Sequence, residues 1–304
     1  MKAFLVLLLA FTIFFVSNCS KSPTKTDLPN PTITPTPKDT MILIDNGGFS
    51  IGSSAVGGMG SDESPSHPVN LSPYFIDTIE VTQSEYFSLT QKNPSYFNND
   101  SLKPVENVTW FDAVLFCNAR SKRDRFDSVY SYDSIVGNAY NGCSNLINLQ
   151  INYTKNGYRL PTEAEWENGC RSETNSIFYW GNGTSTRADT LAADSNAVYY
   201  NNSYKLGAQN SAYGTHAVAS LKPNPSGLYD MSGNVLEWCN DYYGNYVSGE
   251  QTNPSGPSSG TEKVLRGGSW GNPLANIRSA SRYRMLPQNK SYFAGFRCVR
   301  AKLN

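Results

Sequence analysis

Histidine is almost missing. Only His67 and His216 occur in 304 residues, far apart and without a partner pattern, which excludes an imidazole-rich iron or zinc site. Net charge is missing too. Twenty-five basic residues offset twenty-five acidic ones, so no long-range field recruits nucleic acid or an anionic surface, and no nucleic-acid partner is expected. No apolar run reaches the roughly 20 residues of a spanning helix. Beyond residue 40 there is no second proline-rich break, no repeated block and no shift of composition, so residues 41–304 read as one domain. Finally, no cysteine stands between Cys239 and Cys298.

What is present begins with export. Lys2 precedes an apolar run from Ala3 to Val16, and Ser17-Asn18 leads directly into Cys19. Residues 1–18 therefore read as a signal peptide that is removed. Val16-Ser17-Asn18-Cys19 resembles a bacterial lipobox, with Asn18 where a smaller residue is usual, and this implies a lipid on Cys19. Ser20 follows, and no aspartate suggests retention at the inner membrane, so the expected place is the outer membrane of the bacterial cell envelope. From Ser20 to Thr40 proline recurs without apolar periodicity, so residues 19–40 read as a lipidated cysteine and a Pro/Thr-rich tether, rising about 3.1 Å per residue where extended.

Within 41–304 short strand signals dominate. Met41–Ile44 and Phe49–Gly52 flank a Gly47-Gly48 turn, Tyr74–Asp77 precedes Glu80–Thr82, and the chain closes on Gly295–Arg300. Three helices are predicted. Thr82-Gln83-Ser84-Glu85 is a capping-box pattern opening a helix near 83–91. Thr109 precedes Trp110, Ala113, Val114 and Cys117 at helical spacing, which puts the thiol on the same buried stripe as the indole. Thr162-Glu163-Ala164-Glu165 repeats the capping box after Pro161, with Trp166 and Cys170 one turn apart. Aromatics at 12%, among them 19 tyrosines, suit a core with a polar, aromatic-studded surface.

Seven blocks follow one another: GGFSIGS (47–53), YFIDTIEVTQSEY (74–86), PVENVTWFDAVLFCN (104–118), GYRLPTEAEWENGCR (157–171), GLYDMSGNVLEWCND (227–241), VLRGGSW (264–270) and GFRCVR (295–300). In this order the chain resembles the formylglycine-generating-enzyme, or sulfatase-modifying-factor, family from end to end. The resemblance implies an irregular, loop-rich α+β fold related to C-type lectins, with bound calcium. It also implies an oxidase that converts a substrate cysteine to formylglycine with dioxygen and a copper(I) ion held by two thiolates.

The copper ligands do not follow. Counted from Ser269, the family's cysteine pair falls at Asn272 and Ile277, so copper is not expected. Leu236 stands for an aromatic of the oxygen pocket and Phe293 for an asparagine near the substrate. Ser269 and Arg278 match the family but, without their partners, read as loop structure. A sibling branch that makes sulfur–carbon bonds on an iron site needs three histidines, which are absent.

The resemblance carries a calcium loop onto Asp230 and Glu237 as side-chain ligands and onto Gly233 and Val235 through their carbonyls, hard oxygen donors that suit this ion. A second calcium site is implied around Asn196–Asn202 and Thr215–Ala217. Cys117 and Cys298 occupy positions that pair as a disulfide in the family. Cys170 occupies another such position, with its partner near Ser279, so Cys143 or Cys239 replaces that partner or Cys170 stays free. The loop between Trp270 and Gly295 reads as a recognition surface, with Asn272, Asn276, Arg278, Arg282, Tyr283 and Tyr292 as candidate ligand-binding residues. The expectation is thus a non-catalytic, calcium-stabilised envelope lipoprotein that binds a protein or glycan. The alternative is a formylglycine-generating oxidase with a metal site rebuilt from Cys239 and Cys298.

Overall fold

The computed structural model describes residues 41–45, 47–53, 60–183 and 186–303. The expected signal peptide, the lipidated Cys19 and the tether lie outside the described residues. None of the helices among the described residues is long and apolar enough to cross a membrane.

Each expected helix forms, and each starts at a threonine. Helix α1 (Gln83–Thr90) is capped by Thr82, whose hydroxyl accepts from the Glu85 amide at 3.1 Å. The reciprocal half of its capping box gives way to a stronger attraction, because the Glu85 carboxylate lies 3.3 Å from the buried Arg120 guanidinium. In α2 (Trp110–Arg123) and α3 (Glu163–Arg171) the box closes in both directions, through Thr109 with Asp112 and Thr162 with Glu165. A fourth helix, α4 (Arg187–Asn196), was not anticipated, although Thr186 and Asp189 close the same box.

The stripe Trp110, Ala113, Val114 and Cys117 is buried as expected, against Phe296, Trp238 and Leu265 in the first of two main cores. Trp166 and Cys170 of α3 belong to the second, with Ile76, Met231, Cys239 and Val264. Each fully buried large side chain contributes on the order of 1.5–3 kcal/mol.

The strands are short and gather into small sheets. A four-stranded sheet runs in the order Arg282–Met285, Lys263–Arg266, Leu236–Tyr242 and Ala294–Gly295, with only the last pairing parallel. Met41–Ile44 and Val299–Ala301 flank Tyr74–Asp77, and Gly48–Ile51 pairs with His67–Asn70. The first two strands therefore separate into different sheets instead of pairing across Gly47-Gly48. Glu80–Thr82 forms no strand beyond a bridge from Thr82 to Pro104. The closing motif is interrupted rather than continuous: at Phe296–Cys298 its carbonyls accept from the Val81 and Asp77 amides, both at 2.9 Å. This places Arg297 inside the molecule.

Candidate functional site

The segment Asp230–Glu237 is a turn with positive φ at Asp230 (58°), Gly233 (85°) and Asn234 (54°). Glycine is required at 233, since a Cβ there would stand 2.1 Å from the Val198 carbonyl oxygen. Around this turn three buried carboxyl groups surround one buried guanidinium. Arg297 donates to both Glu237 oxygens at 2.7 Å, and to the Asp77 and Tyr229 carbonyls at 3.0 and 2.8 Å. The Trp166 indole donates to Glu237 Oε2 at 2.8 Å. Glu80 accepts from the Asn234 side chain at 2.7 Å and the Val235 amide at 3.1 Å. Asp230 accepts from the Ala219 amide at 2.8 Å.

One cation does not answer three carboxylates. Burial, then the charges of Asp230 and Glu237, pushes the Glu80 carboxyl well above the usual range. Burial pushes Asp230 up to about 6. The expected calcium ligands thus share one turn, but Glu237 needs correcting: both of its oxygens are engaged by Arg297 and Trp166, so it serves first as an internal counter-ion. Asp230 and the main chain at Gly233 and Val235 remain suited to a hard cation. In the region of the second implied site, the Asn202 side chain is engaged by the Tyr199 amide and the Ala197 carbonyl, both at 2.8 Å. Among the described residues no group of three or more histidine, cysteine, aspartate or glutamate side chains is arranged to hold a metal ion.

The turn also carries the next loop, because the Trp270 amide donates to the Asn234 carbonyl at 2.9 Å. Ser269 is buried, and both its amide and its hydroxyl donate to Asn272 Oδ1, at 2.9 and 2.8 Å. Ile277 is wholly buried, and its Cγ2 lies so near Gly268 that a Cβ on the glycine would approach it to 2.6 Å. The two positions where the resemblance calls for thiolates therefore hold a capping amide and a packed aliphatic chain. These residues do not fit copper(I).

Two recognition candidates are corrected. Arg278 and Arg282 point inward: Arg278 grips Glu63 through two bonds of 2.7 and 2.6 Å, and Arg282 grips Glu163 at 2.6 and 2.8 Å under Tyr243 and Tyr246. A guanidinium paired and buried in this way builds the loop and is not offered to a ligand. Tyr283 is half-buried and donates to the Asn276 carbonyl at 2.7 Å. Asn276 and Tyr292 are exposed.

Tyr292 belongs to a larger assembly. The Trp270 indole, wholly buried, donates to the Tyr292 carbonyl at 3.2 Å. It is met edge-on by Phe97 (5.1 Å, 85°) and Tyr213 (5.0 Å, 72°), and is stacked by Phe293 (4.8 Å, 28°). Over these supports lie Tyr96, Tyr292 and Tyr204, exposed by 69%, 43% and 42%. Three tyrosine rings are thus open to solvent beside the buried indole. The residues come from loops near 96, 204, 213 and 292, and only Tyr292 and Phe293 were singled out from sequence. The high tyrosine content was the one signal, and it does not say which rings converge.

The expected disulfide partners are neighbours: Cys117 and Cys298 face each other with sulfurs 3.7 Å apart, as two thiols poised short of the about 2.05 Å of a bond. Cys143, Cys170 and Cys239 are likewise free and buried. Burial pushes the Cys170 thiol up to about 12, and the Ser279 hydroxyl beside it counters in part. Such a thiol is unreactive. Cys239 and Cys298 lie in different cores, so they do not converge as the ligands of a rebuilt metal site.

Short sheets around two cores, capped helices and a long glycine-started loop define an irregular α+β domain. Residues 27–302 match the sulfatase-modifying factor enzyme 1-like domain, and the chain belongs to that family. It is 31% identical to "Chaperone protein LppX" of Paenibacillus barcinonensis, over 89% of both chains. It is 32% identical to the formylglycine-generating enzyme of Mus musculus, over 64% of this chain and 44% of that protein. Among solved structures, Treponema denticola variable protein 1 superposes with a TM-score of 0.70 at 30% identity, covering 86% of this chain and 95% of the other.

Proposed function

We propose that this protein is an exported, lipid-anchored binding module of the bacterial cell envelope, in which the family's oxidase centre has given way to a recognition surface. The observation that carries this reading is the loop from Ser269 to Phe293. Where the resemblance calls for two thiolates it has Asn272 and Ile277, and it helps build an exposed aromatic surface instead. The likeness to a protein named a chaperone supports binding without chemistry on the bound partner. A calcium ion at Asp230, with the Gly233 and Val235 carbonyls, accords with the surplus of buried carboxyl groups there. Lipidation of Cys19 and an outer-membrane location rest on the N-terminal sequence.

The relative named formylglycine-generating enzyme favours oxidation as the second reading. The two readings part on what the intact lipoprotein retains. A pull-down from the cell envelope should recover a partner that is lost when Tyr96 and Tyr292 are both changed to alanine. Equal recovery by the two forms contradicts this role for the loop.

A further inference from the structure

A cleft of about 350 Å³ opens beside the start of α3, between the chain that follows Tyr242 and residues 254–257. Much of its wall is apolar, from Ile51, Ala164, Val247, Pro254 and Pro257. Two acceptors also line it. Asp241 is 3% exposed, and its Oδ2 accepts from the Glu163 amide at 3.0 Å. Among the described residues no donor reaches its Oδ1, which would lie 3.1 Å from a Cβ on the cleft residue Gly256, and no cation comes within ion-pair distance of the carboxyl group. Lys263, the cation that acts on it, donates instead to the Asn240 carbonyl at 2.8 Å, over the rings of Trp110 and Tyr242. Burial, then the charge of Glu163, pushes Asp241 up to about 8, as expected of an acid without a close counter-ion. The second acceptor is His67, buried and edge-on to Tyr246. Its Nδ1 donates to the Pro65 carbonyl at 3.0 Å, so the neutral ring keeps Nε2 as an acceptor.

The other charges on the cleft are already spent. Arg282 grips Glu163 and gives Nη1 to the Asp62 and Gly244 carbonyls, at 2.8 and 3.0 Å. An anion would therefore meet Glu163 and Asp241 without a free guanidinium. A quaternary ammonium needs bare ring faces, but cations already lie over Tyr246 (Arg282, 4.0 Å) and Tyr242 (Lys263, 3.5 Å). A calcium ion needs more oxygens than one carboxylate supplies. What the two acceptors can take is a cation that carries N–H donors, and what the walls can take is carbon. We infer that the cleft binds a primary ammonium group on an apolar stem, with Asp241 as its counter-ion, His67 as a second acceptor, and Val247 and the two prolines against the stem. The ammonium belongs either to a free amine or to a lysine side chain of a partner. The site shares no residue with the tyrosine surface and does not rest on the reading of that surface.

The test titrates the purified full chain, in detergent at pH 7.5, with butylammonium, Nα-acetyl-lysine methylamide, butyltrimethylammonium and butyrate in a calorimeter. At least one of the two primary amines should bind at a single site, and the quaternary amine and butyrate should not. Binding should release protons, because Asp241 enters as an acid and ends as a carboxylate; heats in two buffers of different ionisation enthalpy read this release. Asp241→Asn should weaken binding at least about tenfold and remove most of the proton release. Val247→Phe, which fills the cleft from an exposed position, should weaken binding as well. Val136→Ala, exposed and not lining the cleft, should bind as the parent does. Butylammonium binding as tightly as the lysine amide assigns the site to a free amine, and preference for the lysine amide assigns it to a partner's side chain. Butyrate binding, equal binding of the quaternary amine, amine binding unchanged in Asp241→Asn, or no amine binding up to about 10 mM overturns the inference.

Discussion

Replacing Arg297 with methionine removes the guanidinium that, among the described residues, answers Glu80, Asp230 and Glu237. The side chain is wholly buried and donates four hydrogen bonds, two of them to Glu237. Methionine fills much of the volume but leaves Glu237 buried without its partner, a change that costs about 3–5 kcal/mol. The upper part of that range is expected, because Glu80 and Asp230 lose the same attraction and two carbonyls lose a donor. In a domain of this size the loss corresponds to a fall in Tm on the order of 10 °C. The assay is thermal and urea unfolding of parent and variant between pH 5 and pH 8. Glu80 and Asp230 have raised folded-state pKa values, so protonation relieves the variant as pH falls, and its deficit should shrink toward pH 5. Arg297→Lys keeps a charge but not the two-pronged contact, and should lie between the two. A deficit below about 1 kcal/mol, or one that grows on acidification, would refute this view of the cluster.

The remaining predictions concern the cation, the pH profile and the thiols. Calcium at about a hundred times its dissociation constant should stabilise the parent by ~2.7 kcal/mol near pH 7.5, and Asp230→Asn should abolish most of that gain; an equal gain in both would place the ion elsewhere. Burial, then the charge of Glu163, pushes the Asp241 carboxyl up to about 8. Its contribution is therefore complete below pH 4 and is lost as pH rises through 8. Urea midpoints should fall between pH 5 and 8 in the parent and less in Asp241→Asn, and parallel profiles would contradict the assignment. Measurement should stop at pH 8, because burial lowers Lys263 to about 8 and reverses the trend above it. Oxidation should join Cys117 to Cys298, which face each other across 181 residues of sequence. The chain-entropy gain is about 5 kcal/mol. Peptide mapping of the protein taken from the envelope should find this crosslink, and a reductant should lower Tm; a different pairing would refute it.

The helices were legible because their signals are local. Thr109 with Asp112, and Thr162 with Glu165, both announce and build the first turns, and the stripe through Cys117 needs only helical periodicity. α4 carried the same signal at Thr186 and Asp189, but few apolar residues behind it marked a buried face. The sheets were less legible, since Met41–Ile44 and Gly48–Ile51 choose partners by contacts far away in sequence. The same limit applies to the site. That Asn272 and Ile277 are not thiolates is plain from sequence, and the turn at Asp230 is named by its glycine and carboxylates. That Arg297 satisfies Glu237, or that Arg278 and Arg282 face Glu63 and Glu163, depends on burial and charge pairing over 60 to 215 residues. An arginine on a loop looks the same in sequence whether it meets a ligand or an internal carboxylate.

The proposed role requires that this domain bind its partner without oxidising it. The direct measurement is mass spectrometry of a Cys-x-Pro-x-Arg peptide incubated with the full chain, copper(I) and dioxygen. The peptide should keep its cysteine, with no aldehyde product above a protein-free control. Catalytic conversion of that cysteine to formylglycine would contradict the claim.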